Sequence, residues 1–190
     1  VLCVMQLMII LDGTVVTVAL PTIQGDLGFS QAGLAWVMNS YLIAFAGLLL
    51  LAGRIGDLVG SKRVFVAGLA LFTAASLLCG VAGSAEVLIA GRFLQGVGGA
   101  LASAVILGMI VSLYPAPGEQ ARAMGVYSFT AASGASIGLI FGGVVTQTVG
   151  WHWAFLINVP IGVVSLVFAV RLLAHRPGLG LANGADIVGA

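Results

Sequence analysis

Leu11-Asp12-Gly13-Thr14-Val15-Val16-Thr17-Val18-Ala19-Leu20-Pro21 sets one carboxylate inside an apolar run that begins at Val1 and carries no other charge before the proline. At the helical rise per residue, Asp12 lies roughly 13 Å from Pro21, near the middle of a bilayer crossed by this run. A charge at that depth costs at least about 3 kcal/mol and therefore faces a bundle interior or a watery cavity. Two readings are open: a proton or substrate site, or a buried aspartate hydrogen-bonded to a neighbouring helix for packing alone.

The rest of the chain has the composition of such a bundle. Of its 190 residues, 61% are hydrophobic and only 7% charged, and the mean hydropathy is +1.19. Soluble domains do not need this much apolar surface, whereas spans of about 20 apolar residues do. With a net charge of +1, nothing points to a nucleic-acid partner, and none is expected. Cys3 and Cys79 have no metal or redox spacing and read as packing thiols. The opening run lacks a basic n-region and a small-residue cleavage site, so it does not read as a removed signal peptide. The end, 182–190, looks like the approach to another span, which suggests a piece of a longer protein.

Six apolar segments follow one another: 1–20, 35–52, 64–83, 87–113, 123–149 and 153–173. They predict an all-α membrane domain over 1–175 and a cytoplasmic linker over 176–190. Arg54, Lys62, Arg63, Arg122, Arg171 and Arg176 fall on one side of the predicted membrane. That side is cytoplasmic by the positive-inside rule, so the amino terminus is cytoplasmic too. Trp36, Trp151 and Trp153 gather at the other side, either as an interfacial belt or as packing aromatics. Continuous apolar runs rather than period-two alternation exclude a β-barrel.

Four polar or glycine features interrupt these segments. The connection 53–63 holds Gly53, Arg54, Asp57, Gly60, Lys62 and Arg63, and reads either as a charged latch or as a plain cytoplasmic loop. Arg92 lies about 9 Å below the outer boundary, either snorkelling outward or facing inward with Gln95, which extends the same helix face. By depth alone, Asp12 and Arg92 are within about 4 Å of each other and so are placed to pair across a cavity. Gly134, Gly138 and Gly142, four apart, with Gly143 beside them, predict a groove for another helix. In the sixth segment Pro160 predicts a kink and a freed carbonyl. Glu119 reads as a loop residue. No nucleophile–base set, metal cluster or phosphate loop stands out, so no enzyme is expected.

These residues resemble the amino-terminal half of a major facilitator superfamily transporter, and more narrowly its fourteen-helix drug:proton antiporter branch. The stretch 11–21 is similar to that branch's first-helix motif, with Thr17 where Asn is usual. The 53–63 loop resembles the superfamily's motif between helices two and three, with Leu58 and Ser61 where basic residues are common. Arg92-Phe93-Leu94-Gln95-Gly96 is similar to the fourth-helix motif. Trp151-His152-Trp153-Ala154-Phe155-Leu156-Ile157-Asn158-Val159-Pro160-Ile161-Gly162 resembles the motif joining helices five and six, with His152 where Arg is usual. The fifth-helix antiporter motif departs from the family: Leu139 stands where proline is usual, while Gly138, Gly142 and Gly143 remain.

The resemblance implies a six-helix half of a two-part bundle in the inner (plasma) membrane, with a substrate site between the halves. It implies an exporter of amphipathic or cationic drugs driven by the proton gradient, without a cofactor. The alternative is an exporter of one dedicated metabolite, such as a self-made antibiotic, siderophore or amino acid. A non-transporting scaffold is a third reading, weakened by the costly charges at Asp12 and Arg92. Asp12, Arg92 and Gln95 would couple protons to substrate. Gly53, Asp57, Gly60, Lys62 and Arg63 would latch one conformation. The expected partners are a small-molecule substrate, protons, lipid and a missing carboxy-terminal half.

Overall fold

The computed structural model describes residues 1–174 and 178–180. It consists of helices: α1 (Leu2–Leu27), α2 (Gln31–Val59), α3 (Ser61–Gly80), α4 (Ala85–Leu113), α5 (Pro117–Thr148), α6 (His152–Leu156) and α7 (Asn158–Leu172). Six spans are long and apolar enough to cross a membrane, α6 and α7 together forming the sixth. Most of the expected linker, together with His175, lies outside the described residues.

The helices overrun the expected apolar segments at most boundaries. α1 continues through Pro21 to Leu27, because one missing N–H removes one hydrogen bond without ending the apolar face. It stops at Gly28, whose φ of 66° is left-handed and whose N–H reaches the Gln24 carbonyl. Ser30 then caps α2, its hydroxyl accepting from the Gly33 N–H at 3.0 Å. The predicted cytoplasmic loop 53–63 shrinks to a single residue. Gly53 and Asp57 are helical in α2, Lys62 and Arg63 are helical in α3, and Gly60 alone turns the chain. Its φ of 106° strains any residue with a Cβ. Glu119 and Arg122 likewise belong to the start of α5 rather than to a loop. There Glu119 complements the positive end of the helix.

The sixth span breaks at Ile157, before the proline predicted to kink it. Pro160 has no N–H for the Leu156 carbonyl four residues back, so the discontinuity falls one turn early. Trp36 and Trp153 are exposed as an interfacial belt requires, but Trp151 is buried. Its indole N–H donates to the Asp26 carboxylate at 2.8 Å, so burial there serves packing between α1 and α6.

Packing divides the spans into groups. α4 lies along both α2 and α3, and α7 along α3, while α1 lies along α5. The buried face of α1 joins the two groups through shared apolar cores, Met5 and Met8 with Phe65, Phe72 and Ile106, and Val15, Val16 and Ala19 with Val37, Cys79 and Phe155. Glycine sets the close approaches. A Cβ on Gly98 would meet the Phe72 backbone nitrogen at 2.5 Å, so α3 and α4 touch backbone to backbone. The predicted groove on α5 receives α1: Gly134 faces Leu7 and Ile10, Gly138 faces Thr14, and Gly142 faces Val15. Gly143 points to open space and is not part of it.

Candidate functional site

Asp12 occupies the buried face of α1, in register with Met5, Met8, Val16, Ala19 and Ile23. The same angular periodicity that buries those side chains forces the carboxylate inward. Arg92 and Gln95, one turn apart on α4, converge on it from the opposite wall. Arg92 Nη1 donates to Asp12 Oδ2 at 2.5 Å, with both side chains fully excluded from solvent. Gln95 Nε2 donates to Asp12 Oδ1 at 2.7 Å, so each carboxylate oxygen has a donor. Arg92 Nη1 also donates to Gln95 Oε1 at 2.8 Å, closing the triangle.

Further groups surround the triangle. Arg92 Nε donates to the Val37 carbonyl of α2 at 3.1 Å. Its guanidinium carbon lies 4.3 Å from the centre of the Tyr41 ring and 5.8 Å from that of Phe155. From α3, Ser76 Oγ accepts from Gln95 Nε2 at 2.8 Å, and the Cys79 thiol lies 3.8 Å from Gln95 Oε1. Two glycines make room for α2: a Cβ on Gly96 would meet the Tyr41 carbonyl, and one on Gly99 would meet the Tyr41 hydroxyl at 3.3 Å.

The structure thus brings Asp12, Arg92 and Gln95 together. Pairing is direct rather than across the expected cavity, and Arg92 is buried rather than snorkelling. Val37, Tyr41, Ser76 and Cys79 were not legible as partners. They are uncharged and lie on other helices, and no spacing within one helix says which neighbour faces it. An isolated pair of this kind loses much hydration, and the remaining hydrogen bonds offset part of that loss, Arg92 Nη2 being buried without a partner among the described residues. Chemically, the cluster can hold one negative charge or, protonated, one neutral carboxyl beside an always-charged guanidinium. Among the described residues no group of three His, Cys, Asp or Glu is arranged to hold a metal.

The loop residues form a second, separate group at the cytoplasmic end. Lys62 Nζ donates to the Val170 carbonyl at 2.8 Å, covering an orphan acceptor at the end of α7. Leu179 N–H donates to the Asp57 carbonyl at 2.9 Å and Gly180 N–H to the Leu58 carbonyl at 3.1 Å. Asp57 and Arg63 are exposed, and among the described residues the Asp57 carboxylate makes no ion pair. A cavity of about 570 Å³ opens nearby, lined by Leu2, Cys3, Tyr114, Glu119, Arg122 and Leu173 among others; Asp12 does not reach it.

The model of the Major Facilitator Superfamily matches residues 2–185. The chain is 46% identical over 165 residues to EfpA of Mycobacterium tuberculosis, described as an uncharacterized MFS-type transporter, covering 87% of this chain and 31% of that protein. It is 41% identical over 184 residues to the puromycin resistance protein pur8 of Streptomyces alboniger, covering 97% and 36%. It is 42% identical over 172 residues to the cephamycin export protein CmcT of Amycolatopsis lactamdurans, covering 90% and 35%. The chain therefore spans about a third of the length of these relatives.

Proposed function

The chain belongs to the Major Facilitator Superfamily, a multi-pass protein of the inner (plasma) membrane, and on that premise we propose that it is the amino-terminal half of a proton-coupled exporter of amphipathic or cationic compounds. Residues 1–175 would form this half and 176–190 would lead to the remainder. The observation that carries the reading is the sealed Asp12–Arg92–Gln95 cluster at mid-membrane depth. A carboxylate kept there at such cost, with every oxygen engaged, is suited to exchange a proton between two conformations. Asp12 takes the proton from outside and releases it inside, while Arg92 and Gln95 orient it. No covalent step is involved and no cofactor is needed; the proton gradient supplies the energy.

The latch assigned to Gly53, Asp57, Gly60, Lys62 and Arg63 is supported by the Lys62 contact to α7 and by the Gly60 turn. Alternating access requires the second half. The names of pur8 and CmcT, one a puromycin resistance protein and the other a cephamycin exporter, support the second reading, a single dedicated antibiotic.

The test uses everted vesicles carrying the full-length parent, with respiration holding the interior acidic. Collapse of the pH gradient by several unrelated cationic drugs, lost in Asp12→Asn while membrane insertion persists, is the expected result. Response to one compound alone selects the dedicated exporter, and undiminished exchange in Asp12→Asn removes the coupling role.

A further inference from the structure

The last four carbonyls of a helix lack a partner inside it, and in α2 these belong to Gly56, Asp57, Leu58 and Val59. The Gly60 N–H reaches the first of them at 3.0 Å. Gly60 then takes a ψ of 129°, far from the usual left-handed cap, and the chain turns at once into α3. The next two carbonyls are met from far along the sequence. Leu179 N–H donates to the Asp57 carbonyl at 2.9 Å and Gly180 N–H to the Leu58 carbonyl at 3.1 Å. On the other side of the Gly60 turn, Lys62 holds the Val170 carbonyl of α7 at 2.8 Å.

We propose that Gly178-Leu179-Gly180 is a strap: it fastens the connection toward the second half onto the end of α2, so that this connection starts beside the Gly60 turn and not at the end of α7. The fastening stands on the geometry alone. Its meaning for the second half rests on the reading, given above, that 176–190 lead to it. Both glycines are required, for different reasons. A Cβ on Gly178 would run into the Leu58 carbonyl and lie 2.7 Å from the Gly60 nitrogen, and no rotamer change moves either of these backbone atoms. Gly180 has a φ of 81°, where a side chain is strained. Leu179 between them is 61% exposed, so the backbone rather than the side chain holds the strap. Its two N–H donors also meet the negative end of the α2 dipole, which favours them there. The turn assigned to the latch and the chain leading onward thus share two hydrogen bonds, and a movement of one pulls on the other.

The test is hydrogen exchange read at single amides in the full-length parent, reconstituted in lipid nanodiscs. Corrected for intrinsic rates, the Leu179 and Gly180 amides are expected to exchange about tenfold slower than those of an unstructured chain. Gly178→Ala and Gly180→Val should each abolish that protection. Leu179→Ala leaves the backbone unaltered and keeps it. Gly180→Asn, which tolerates a left-handed φ better than valine, keeps more of it than Gly180→Val. These positions lie outside the spans, and exchange at the α3 and α4 amides of the same samples checks that the bundle has folded. Amides unprotected in the parent, or protection that survives both glycine changes, overturn the inference. Protection that behaves as expected in a protein exchanging no drug for protons upholds the strap and removes the antiport reading instead.

Discussion

At the scale of single residues, the Asp12–Arg92 pair is a bond whose halves are worth less than nothing apart. Removing one partner leaves the other charged, buried and unpaired, at about 3–5 kcal/mol. Arg92→Met is therefore expected to lower the thermal melting temperature of the parent in detergent sharply, and Asp12→Asn added to it to recover most of the loss. A double variant no better than the single one would mean that the carboxylate finds another partner. Gln95 has a different standing, since it donates at once to Asp12 and to Ser76. Gln95→Leu strands two buried acceptors, at about 1–3 kcal/mol each. Asp12, Arg92 and Gln95 were all legible in the sequence, because ionised and amide side chains inside apolar runs need a reason to be there. Tyr41 was not, since an aromatic on a membrane helix is ordinary.

Among the elements, glycine decides how near two helices come. Gly98→Ala must push backbone from backbone between α3 and α4, which no rotamer change relieves. Gly138→Ala meets the Thr14 side chain, which can turn aside at the loss of its bonds to the Ile10 and Leu11 carbonyls. Gly143→Ala meets nothing within 4 Å. Melting temperatures in detergent should fall in that order. The first loses about 1–3 kcal/mol by overpacking and the last stays within error of the parent. An equal loss at Gly143 would show that the second half packs there. The four-residue spacing announced a groove but could not say that α1 fills it, because spacing describes one helix and not its neighbour. Leu139, next to Gly138 and so about 100° round α5 from it, is 53% exposed.

For the whole molecule, charge sets the orientation and the turn at Gly60 sets how tightly the cytoplasmic ends are drawn together. Asp26→Cys should react with an impermeant maleimide from outside intact cells, and Arg63→Cys only after permeabilisation, in a Cys3→Ser background. Both positions are exposed. The opposite pattern would invert the topology. At this end Lys62 joins α3 to α7, and residues 179 and 180 join the carbonyls of α2, so one short turn gathers three spans.

The sequence by itself determined that the chain crosses a membrane six times, which side faces the cytoplasm and which three side chains have to be accounted for at mid-depth. Each of these follows from local quantities: hydropathy over about 20 residues, the position of Lys and Arg, and the cost of a buried charge. Only the tertiary structure decided that the carboxylate and guanidinium touch, that α2 shares with α1 the hold on Arg92, and that the cytoplasmic connection is one residue long. Those depend on which helix faces lie against one another, and helix neighbours are chosen by shape and glycine clearance across residues far apart in the chain.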